Sequence, residues 1–283
     1  MGQCVVSVVM PVHNSSNYVS LSIRSLLAQT YPYWELIVVD DVSSDNTPSV
    51  IRSFMEAEPR IRYIPLREHH GPGLARNVGI DLAVGKYIAF LDSDDIWLPK
   101  KLEKQLAFMQ ENNLCFTFSS YYIMDKNGFV VGLYRTKESV SYSDILKIDY
   151  IGCSTAIYDV SVLGKRYMKP IHGDYVLWVE ILREIGKSEG LLEPLAVYRA
   201  GVGVSASKLK QASWRWQFYR RELHMSTVDS LRCFIPYAFH GVLKYGGTKL
   251  RSLSLSTRLQ CPVTVEDLLS SQNACFLPYE NVE

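Results

Sequence analysis

KYIAFL, Lys86 to Leu91, runs directly into Asp92-Ser93-Asp94-Asp95. The first part is a short apolar run of the kind that forms a strand buried on both faces. The second part places three carboxylates where that strand must end. The same pattern recurs upstream. Val5 to Met10 is apolar and rich in valine and is closed by Pro11, and Glu35 to Asp40 (ELIVVD) opens into the polar loop Asp41 to Asn46. Ile61 to Leu66 is a third such run. Helical segments separate them. Ser15 and Ser16 are expected to cap a helix reaching about Gln29. Thr47-Pro48 starts a second helix with proline at its first position. The turn Gly71-Pro72-Gly73 leads into a third that ends near Val84. Strands alternating with helices imply βαβ units, hence an α/β fold with a Rossmann-like, mostly parallel sheet flanked by helices. In such sheets ligands sit beyond the carboxyl ends of the strands. Asn14, Asp41, Asp45, Asp92 and Asp94 all fall at those ends.

Further along the chain the expected elements are a helix from Pro99 to about Asn112, a strand over Cys115–Met124 and a short helix at Tyr142–Leu146. A helix over Asp174–Ile185 and a strand over Leu192–Tyr198 follow. From residue 205 the character changes. Residues 208 to 251 carry nine Lys or Arg against two acids, Glu222 and Asp229, with Trp214, Trp216, Phe218, Tyr219, Phe234, Tyr237 and Phe239 interleaved. The reading divides the chain into a catalytic-type domain, 1–204, and a basic, aromatic helical extension, 205–283. The final stretch, Gln260 to Glu283, is polar and expected to be loosely ordered.

The 283 residues are 47% hydrophobic and 21% charged, with a net charge of +1. That composition is globular and gives no global field for nucleic acid. Six cysteines with no CxxC pair argue against a zinc site and a disulfide scaffold, and fit a reducing cytoplasm. No signal-peptide pattern is visible, and no apolar run reaches the roughly 18–20 residues of a membrane span.

Four places carry chemistry. Asp92 and Asp94, spaced i, i+2 on a turn, suit one contact to a sugar or ribose and one to a hard divalent cation, Mn2+ or Mg2+, beside a pyrophosphate; a solvated acidic turn or a helix cap reads equally well. Asp41 suits a base N–H or a ribose hydroxyl, or simply a turn. Arg76, near a helix start behind a glycine turn, suits phosphate, or the surface. Gly173-Asp174 opens a helix carrying Trp178. There a carboxylate at a buried edge suits general-base work, or an N-cap.

Together, VVMPVHN (Val8 to Asn14), ELIVVDDVSSDNT (Glu35 to Thr47), GPGLARNVGIDLAVGKYIAFLDSDD (Gly71 to Asp95) and GDYVLWVEI (Gly173 to Ile181) resemble glycosyltransferase family 2, with its GT-A fold, over about the first 200 residues. The resemblance implies an inverting hexosyltransferase using a UDP-sugar, glucose or galactose, with a saccharide or lipid-linked saccharide as acceptor, as in bacterial surface polysaccharide (O-antigen type) synthesis. It implies donor contacts from Pro11, Val12, Asn14, Asp41, Arg76, Asp92 and Ser93, a metal on Asp94 and Asp92, and Asp174 as the base. Gly173 and Trp178 would stand on the acceptor side. Three departures stand out: Val42 where glycine is frequent, Gly173 where glutamate is frequent, and no histidine after Tyr198-Arg199. The last leaves a third protein ligand to the metal doubtful.

The basic extension, 208–251, reads as a peripheral contact with anionic lipid at the inner face of the cell membrane, or as a helical cap with solvated cations. A sugar-phosphate nucleotidylyltransferase would need a Gly-rich basic loop after the first strand, where Pro11-Val12-His13-Asn14 stands. A non-catalytic carbohydrate-binding protein of this fold would not need Asp92, Asp94 and Asp174. No nucleic-acid module is recognisable.

Overall fold

The structure is a computed structural model and describes residues 6–170, 172–201, 208–245 and 256–264. Its first four strands are β1 (Val6–Val12), β2 (Trp34–Asp40), β3 (Ile61–Pro65) and β4 (Tyr87–Phe90). They lie side by side and parallel in the order β4-β1-β2-β3. Between them run α1 (Val19–Leu27), α2 (Thr47–Ala57) and α3 (Pro72–Leu82).

Alternation along each strand feeds two separate cores. Val9, Ile37, Val39, Ile88 and Phe90 face one layer, which includes Ala75 and Ile80 of α3. Val8, Met10, Leu36, Val38 and Ala89 face the other, with Ile23 and Leu26 of α1. Each strand is therefore apolar on both sides, which is why these segments read as unbroken hydrophobic runs. α3 lies so close to β1 that a Cβ at Gly79 would sit 2.4 Å from a Val9 methyl.

Beyond β4 the sheet becomes mixed. The remaining elements are β5 (Ile96–Trp97), α4 (Lys101–Glu111), β6 (Phe116–Met124), β7 (Phe129–Tyr134), β8 (Ser139–Ser141), α5 (Tyr142–Lys147), β9 (Ile157–Asp159), α6 (Val160–Leu163), α7 (Gly173–Ile185), β10 (Lys187–Arg199), α8 (Lys208–Gln217), α9 (Thr227–Tyr245) and β11 (Ser256–Thr264). The path of the sheet continues from β4 through antiparallel β9, β6, β7 and β11. The long β10 runs parallel to β6 and antiparallel to β5 and β8. The parallel sheet expected from the sequence thus holds for the first four strands, and an antiparallel half is added to it. Short strands joined by hairpins carry no helical spacer, so β7 gave no βαβ signal.

Two expectations change. Ser15 and Ser16 do not cap α1: the helix starts after Tyr18 without a side-chain cap, and the Ser15 hydroxyl turns to Ser93. Of the stretch expected to be loosely ordered, residues 260–264 belong to β11, which pairs with β7; the rest lies outside the described residues. The expected boundary at 204/205 also lies outside them, but Phe218, Tyr219 and Cys233 join the same core as Trp178. Among the described residues no helix is long and apolar enough to cross a membrane.

Candidate active site

Strand ends bring the polar residues together. Val12 and Asp40 are register partners at the carboxyl ends of β1 and β2. Leaving β1, Asn14 takes a left-handed φ of 50°. Its Oδ1 accepts from the Ser44 and Asp45 amides at 2.8 and 3.3 Å, tying the two loops together. Asp45 accepts from Ser16 and Thr47. Burial alone would raise its carboxyl, but those hydrogen bonds outweigh it and hold it at about 2. Val42 adopts φ 64°. The turn that glycine makes easily is therefore kept, with a β-branched residue in it.

Asp41 is buried, and its Oδ1 and Oδ2 accept from the His70 and Gly71 amides, each at 2.7 Å. The His69 Nδ1 stands 3.0 Å from the same carboxylate, and the His13 and His69 rings pack with centroids 4.5 Å apart. Asp41 thus holds the loop that leads into α3. Pro11 and Val12 are buried in β1 and support the rim from beneath, while Asn14 is exposed.

α3 carries Arg76 inward. The guanidinium is nearly buried, and Nη2 donates to Asp92 Oδ1 just past the end of β4. Burial would lower the pKa of Arg76, yet the fields of Asp92, Cys153 and Asp174 hold it above its ordinary value. Its Nε has no hydrogen-bond partner. Arg76 therefore ties α3 to the acidic turn.

The three carboxylates of the turn differ. Asp95 is buried; its Oδ2 accepts from Ser154 Oγ at 2.6 Å and its Oδ1 from the Arg199 amide at 3.0 Å. Burial, then Asp92 and Asp94, push its pKa well up. It is the brace that joins the turn to β10 and to the 3-10 turn Cys153–Thr155. Ser154 Oγ also accepts from the Asp92 amide at 3.1 Å. Ser93 is buried, bonded through Oγ to Ser15 and through its carbonyl to Ser22, and holds the turn onto α1. The Asp94 carboxylate accepts from its own backbone amide. Burial and then the charge of Asp92 push its carboxyl up to about 6, against the pull of Arg199 and Arg76.

Asp94 is thus a hard oxygen donor whose ionisation is resisted by its neighbours, and a divalent cation would relieve that resistance. Among the described residues no group of three or more His, Cys, Asp or Glu is arranged to hold a metal. Asp94 and Asp92 are the carboxylates here that could hold a cation. Arg199, just before the place where the sequence lacks a histidine, donates from Nε to the Asp94 carbonyl at 3.2 Å.

Asp174 sits half-buried in the first turn of α7. The helix begins from His172, at φ 49°, whose ring packs on Trp214 of α8 at 4.1 Å. Two acceptor-side expectations do not hold. Trp178 is fully buried, stacked on Phe116 at 5.2 Å and edge-on to Phe90 at 5.8 Å, because it falls on the inner face of α7. Gly173 is buried as well, and a Cβ there would lie 2.7 Å from that of Met168, so its small size serves packing. The sequence reading missed Ser154 and Trp214. Ser154 lies in a run of small polar residues with no distinctive spacing, and Trp214 gave only a general aromatic signal.

Comparison with known proteins agrees with this geometry. The sequence profile described as Glycosyl transferase family 2 matches residues 7–169. TuaG of Bacillus subtilis, named as a glycosyltransferase of teichuronic acid biosynthesis, is 36% identical over 244 residues, covering 85% of this chain and 97% of its own. The Escherichia coli UDP-Glc:alpha-D-GlcNAc-diphosphoundecaprenol beta-1,3-glucosyltransferase WfgD is 37% identical over 221 residues, covering 76% of this chain and 85% of its own. Residues 1–349 of S. aureus TarS, solved with UDP-GlcNAc, superpose with a TM-score of 0.63 at 19% identity over 87% of this chain and 77% of that one, a likeness of fold.

Proposed function

This chain belongs to glycosyltransferase family 2, and we propose that it is an inverting, metal-dependent hexosyltransferase that moves glucose or galactose from a UDP-sugar to a hydroxyl of a lipid-pyrophosphate-linked saccharide. The observation that carries the reading is Arg76, bound to Asp92 on the donor side and within the field of Asp174 on the other. Glucose is the favoured sugar because WfgD, named for UDP-Glc, shares 37% identity. TuaG and WfgD are both named for surface-polysaccharide or lipid-diphosphate chemistry.

In this reading Asp174 takes the proton from the acceptor hydroxyl. The freed oxygen attacks the anomeric carbon as the bond to the β-phosphate breaks, and the electron pair leaves with UDP. A divalent cation, when bound, offsets charge on the departing diphosphate. Asp94 and Asp92 would hold it, and Arg76 adds a fixed positive charge at that side of the site. Asn14, with Pro11 and Val12 beneath, shapes the uridine rim, while Asp41 fixes the loop against which the base would lie. Ser93 fixes the acidic turn. Residues 1–204 would supply the transfer chemistry and 205–283 the approach to the inner face of the cell membrane. A screen of UDP-sugars followed by UDP release, with and without Mn2+ or Mg2+, tests the proposal. UDP-glucose or UDP-galactose should be turned over only with metal; turnover of neither, or turnover unaffected by chelation, would refute it.

A further inference from the structure

Helix α9 has two unlike faces. Ser230, Cys233, Phe234 and Tyr237 turn inward; Ser230 and Cys233 are buried, and Phe234 packs against the main core. On the other side Val228, Leu231, Ile235 and Phe239 are 58%, 43%, 62% and 64% exposed. Their spacing, i, i+3, i+7, i+11, places them along one stripe of the helix. Four large apolar side chains on one line exceed the scattered exposure ordinary for a surface.

The charges beside the stripe identify what would cover it. Arg220 and Arg221 are exposed and bond only neutral acceptors, the Met225 carbonyl and the Gln217 side chain. Of the two acids in this region, Asp229 is occupied by Arg232 and Ser226. Arg232 is exposed too, so among the described residues around the stripe three exposed arginines stand against Glu222 and Asp229. An apolar line flanked by net positive charge matches the interface of an anionic bilayer, with acyl chains under the stripe and headgroups beside it. It matches a second copy poorly, since a two-fold contact would bring the same arginines face to face. No described helix can span a membrane, so the contact would lie in the interface plane.

We propose that the outer face of α9, through Leu231, Ile235 and Phe239, inserts into the surface of an anionic bilayer. The inner face then ties that membrane contact to the site. Arg215 of α8 is buried between the rings of Tyr237 of α9, at 4.6 Å, and Tyr175 of α7, at 3.4 Å. Tyr175 is the residue after Asp174. Docking would therefore set the depth and tilt at which Asp174 meets an acceptor hydroxyl above the headgroups.

The placement of the acceptor rests on the proposed function; the membrane contact does not, because it is measured without donor. The test is sedimentation of the full chain with vesicles of equal parts phosphatidylglycerol and phosphatidylcholine, and with phosphatidylcholine alone. The wild type should pellet with the first and not the second. Leu231→Ser/Ile235→Ser/Phe239→Ser should lower the partition coefficient about tenfold or more, while UDP release with a short soluble acceptor is unchanged. Arg220→Gln/Arg221→Gln should lower it about thirtyfold, roughly 1 kcal/mol per cation near an anionic surface. Wild-type protein left in the supernatant of anionic vesicles would overturn the proposal, as would triple-variant pelleting equal to wild type. A concentration-dependent dimer, seen by light scattering and abolished by the triple substitution, would assign the stripe to a second copy instead. Loss of transfer to the soluble acceptor with vesicle binding intact would count against the catalytic reading only.

Discussion

The acidic turn after β4 and the first turn of α7 each present a carboxylate to the site, but they hold it by different means. At the turn, Asp92, Asp94 and Asp95 crowd one another, and burial with like charge pushes Asp94 up to about 6. At α7 the carboxylate is that of Asp174, in the first turn of the helix. Its placement depends on backbone geometry, with His172 at φ 49° and packed on Trp214. One carboxylate is poised by electrostatic stress that a cation would discharge. The other is poised by conformation and by a neighbouring helix. Two sites sharing Arg76 thus respond to different perturbations.

The largest effect should come from removing the charge that depends on conformation. Asp174→Asn preserves size and packing but no longer accepts a proton. We expect kcat to fall about 10³-fold, within the range of a lost general base, with UDP affinity by calorimetry unchanged. Wild-type kcat in that variant would erase the distinction between the two carboxylates. Asp94→Asn should act in the opposite sense on binding and on stability. Metal-dependent UDP binding should weaken about 10–100-fold, as for a lost metal contact, while the metal-free protein should become more stable. The unfolded chain titrates Asp94 at its ordinary value and the folded chain at about 6. Between these the folded state holds more protons, so metal-free stability falls as pH rises from about 4 to about 6, by roughly 1–3 kcal/mol. Asp94→Asn should flatten that slope and raise Tm at pH 7 by about 2–6 °C. Adding Mn2+ should raise the Tm of the wild type but not of the variant. A variant less stable than wild type at neutral pH, in the absence of metal, would remove the electrostatic half of the comparison.

A smaller effect should follow from loosening α7. Trp214 packs on His172 at 4.1 Å and on Phe218 at 5.1 Å. Trp214→Ala should lower kcat about three- to tenfold, as expected from misplacing a reacting group by a fraction of an ångström. The KM for the donor should stay unchanged, and Trp214→Phe should restore most of the rate. Equal changes in kcat and donor KM would mean that Trp214 acts on the whole fold.

The parallel half of the sheet was legible because strands buried on both faces leave unbroken apolar runs such as LIVV and YIAFL, each followed by an aspartate. Asp92 and Asp94 were legible for the same reason, since they follow a recognisable strand, and Arg76 because it lies near the start of a helix behind a glycine turn. The antiparallel half was less so. β7 alternates exposed and buried residues over only Phe129–Tyr134, and β11 pairs with it from more than a hundred residues away. Trp178 shows the limit most clearly. Its neighbour in sequence to a candidate base suggested a substrate contact, but its position in the helical repeat turns it into the core beside Phe90. Asp95 could not be separated from Asp92 and Asp94 by spacing, because its partners, Ser154 and the Arg199 amide, come from distant elements.

The smallest effect concerns another left-handed backbone position, and it tests whether conformational poise is confined to α7. Val42 holds φ 64°, where a β-branched side chain meets its own backbone, at a cost of about 1–2 kcal/mol. Its side chain is 42% exposed, so little packing offsets that cost. Glycine would remove the strain but would make the unfolded chain more flexible, at about 0.5–1 kcal/mol. Val42→Gly should therefore stabilise the protein by only about 0.5–1 kcal/mol, a Tm rise of about 1–3 °C. kcat should be unaltered, because Asp41, Ser43 and Asp45 are held by hydrogen bonds that do not involve the valine side chain. At His172 the same kind of substitution should have the reverse outcome. His172→Gly relieves a similar φ but discards the ring on Trp214, so stability and kcat should both fall. If the two glycine variants behaved alike, the left-handed backbone at α7 would be incidental to the placement of Asp174.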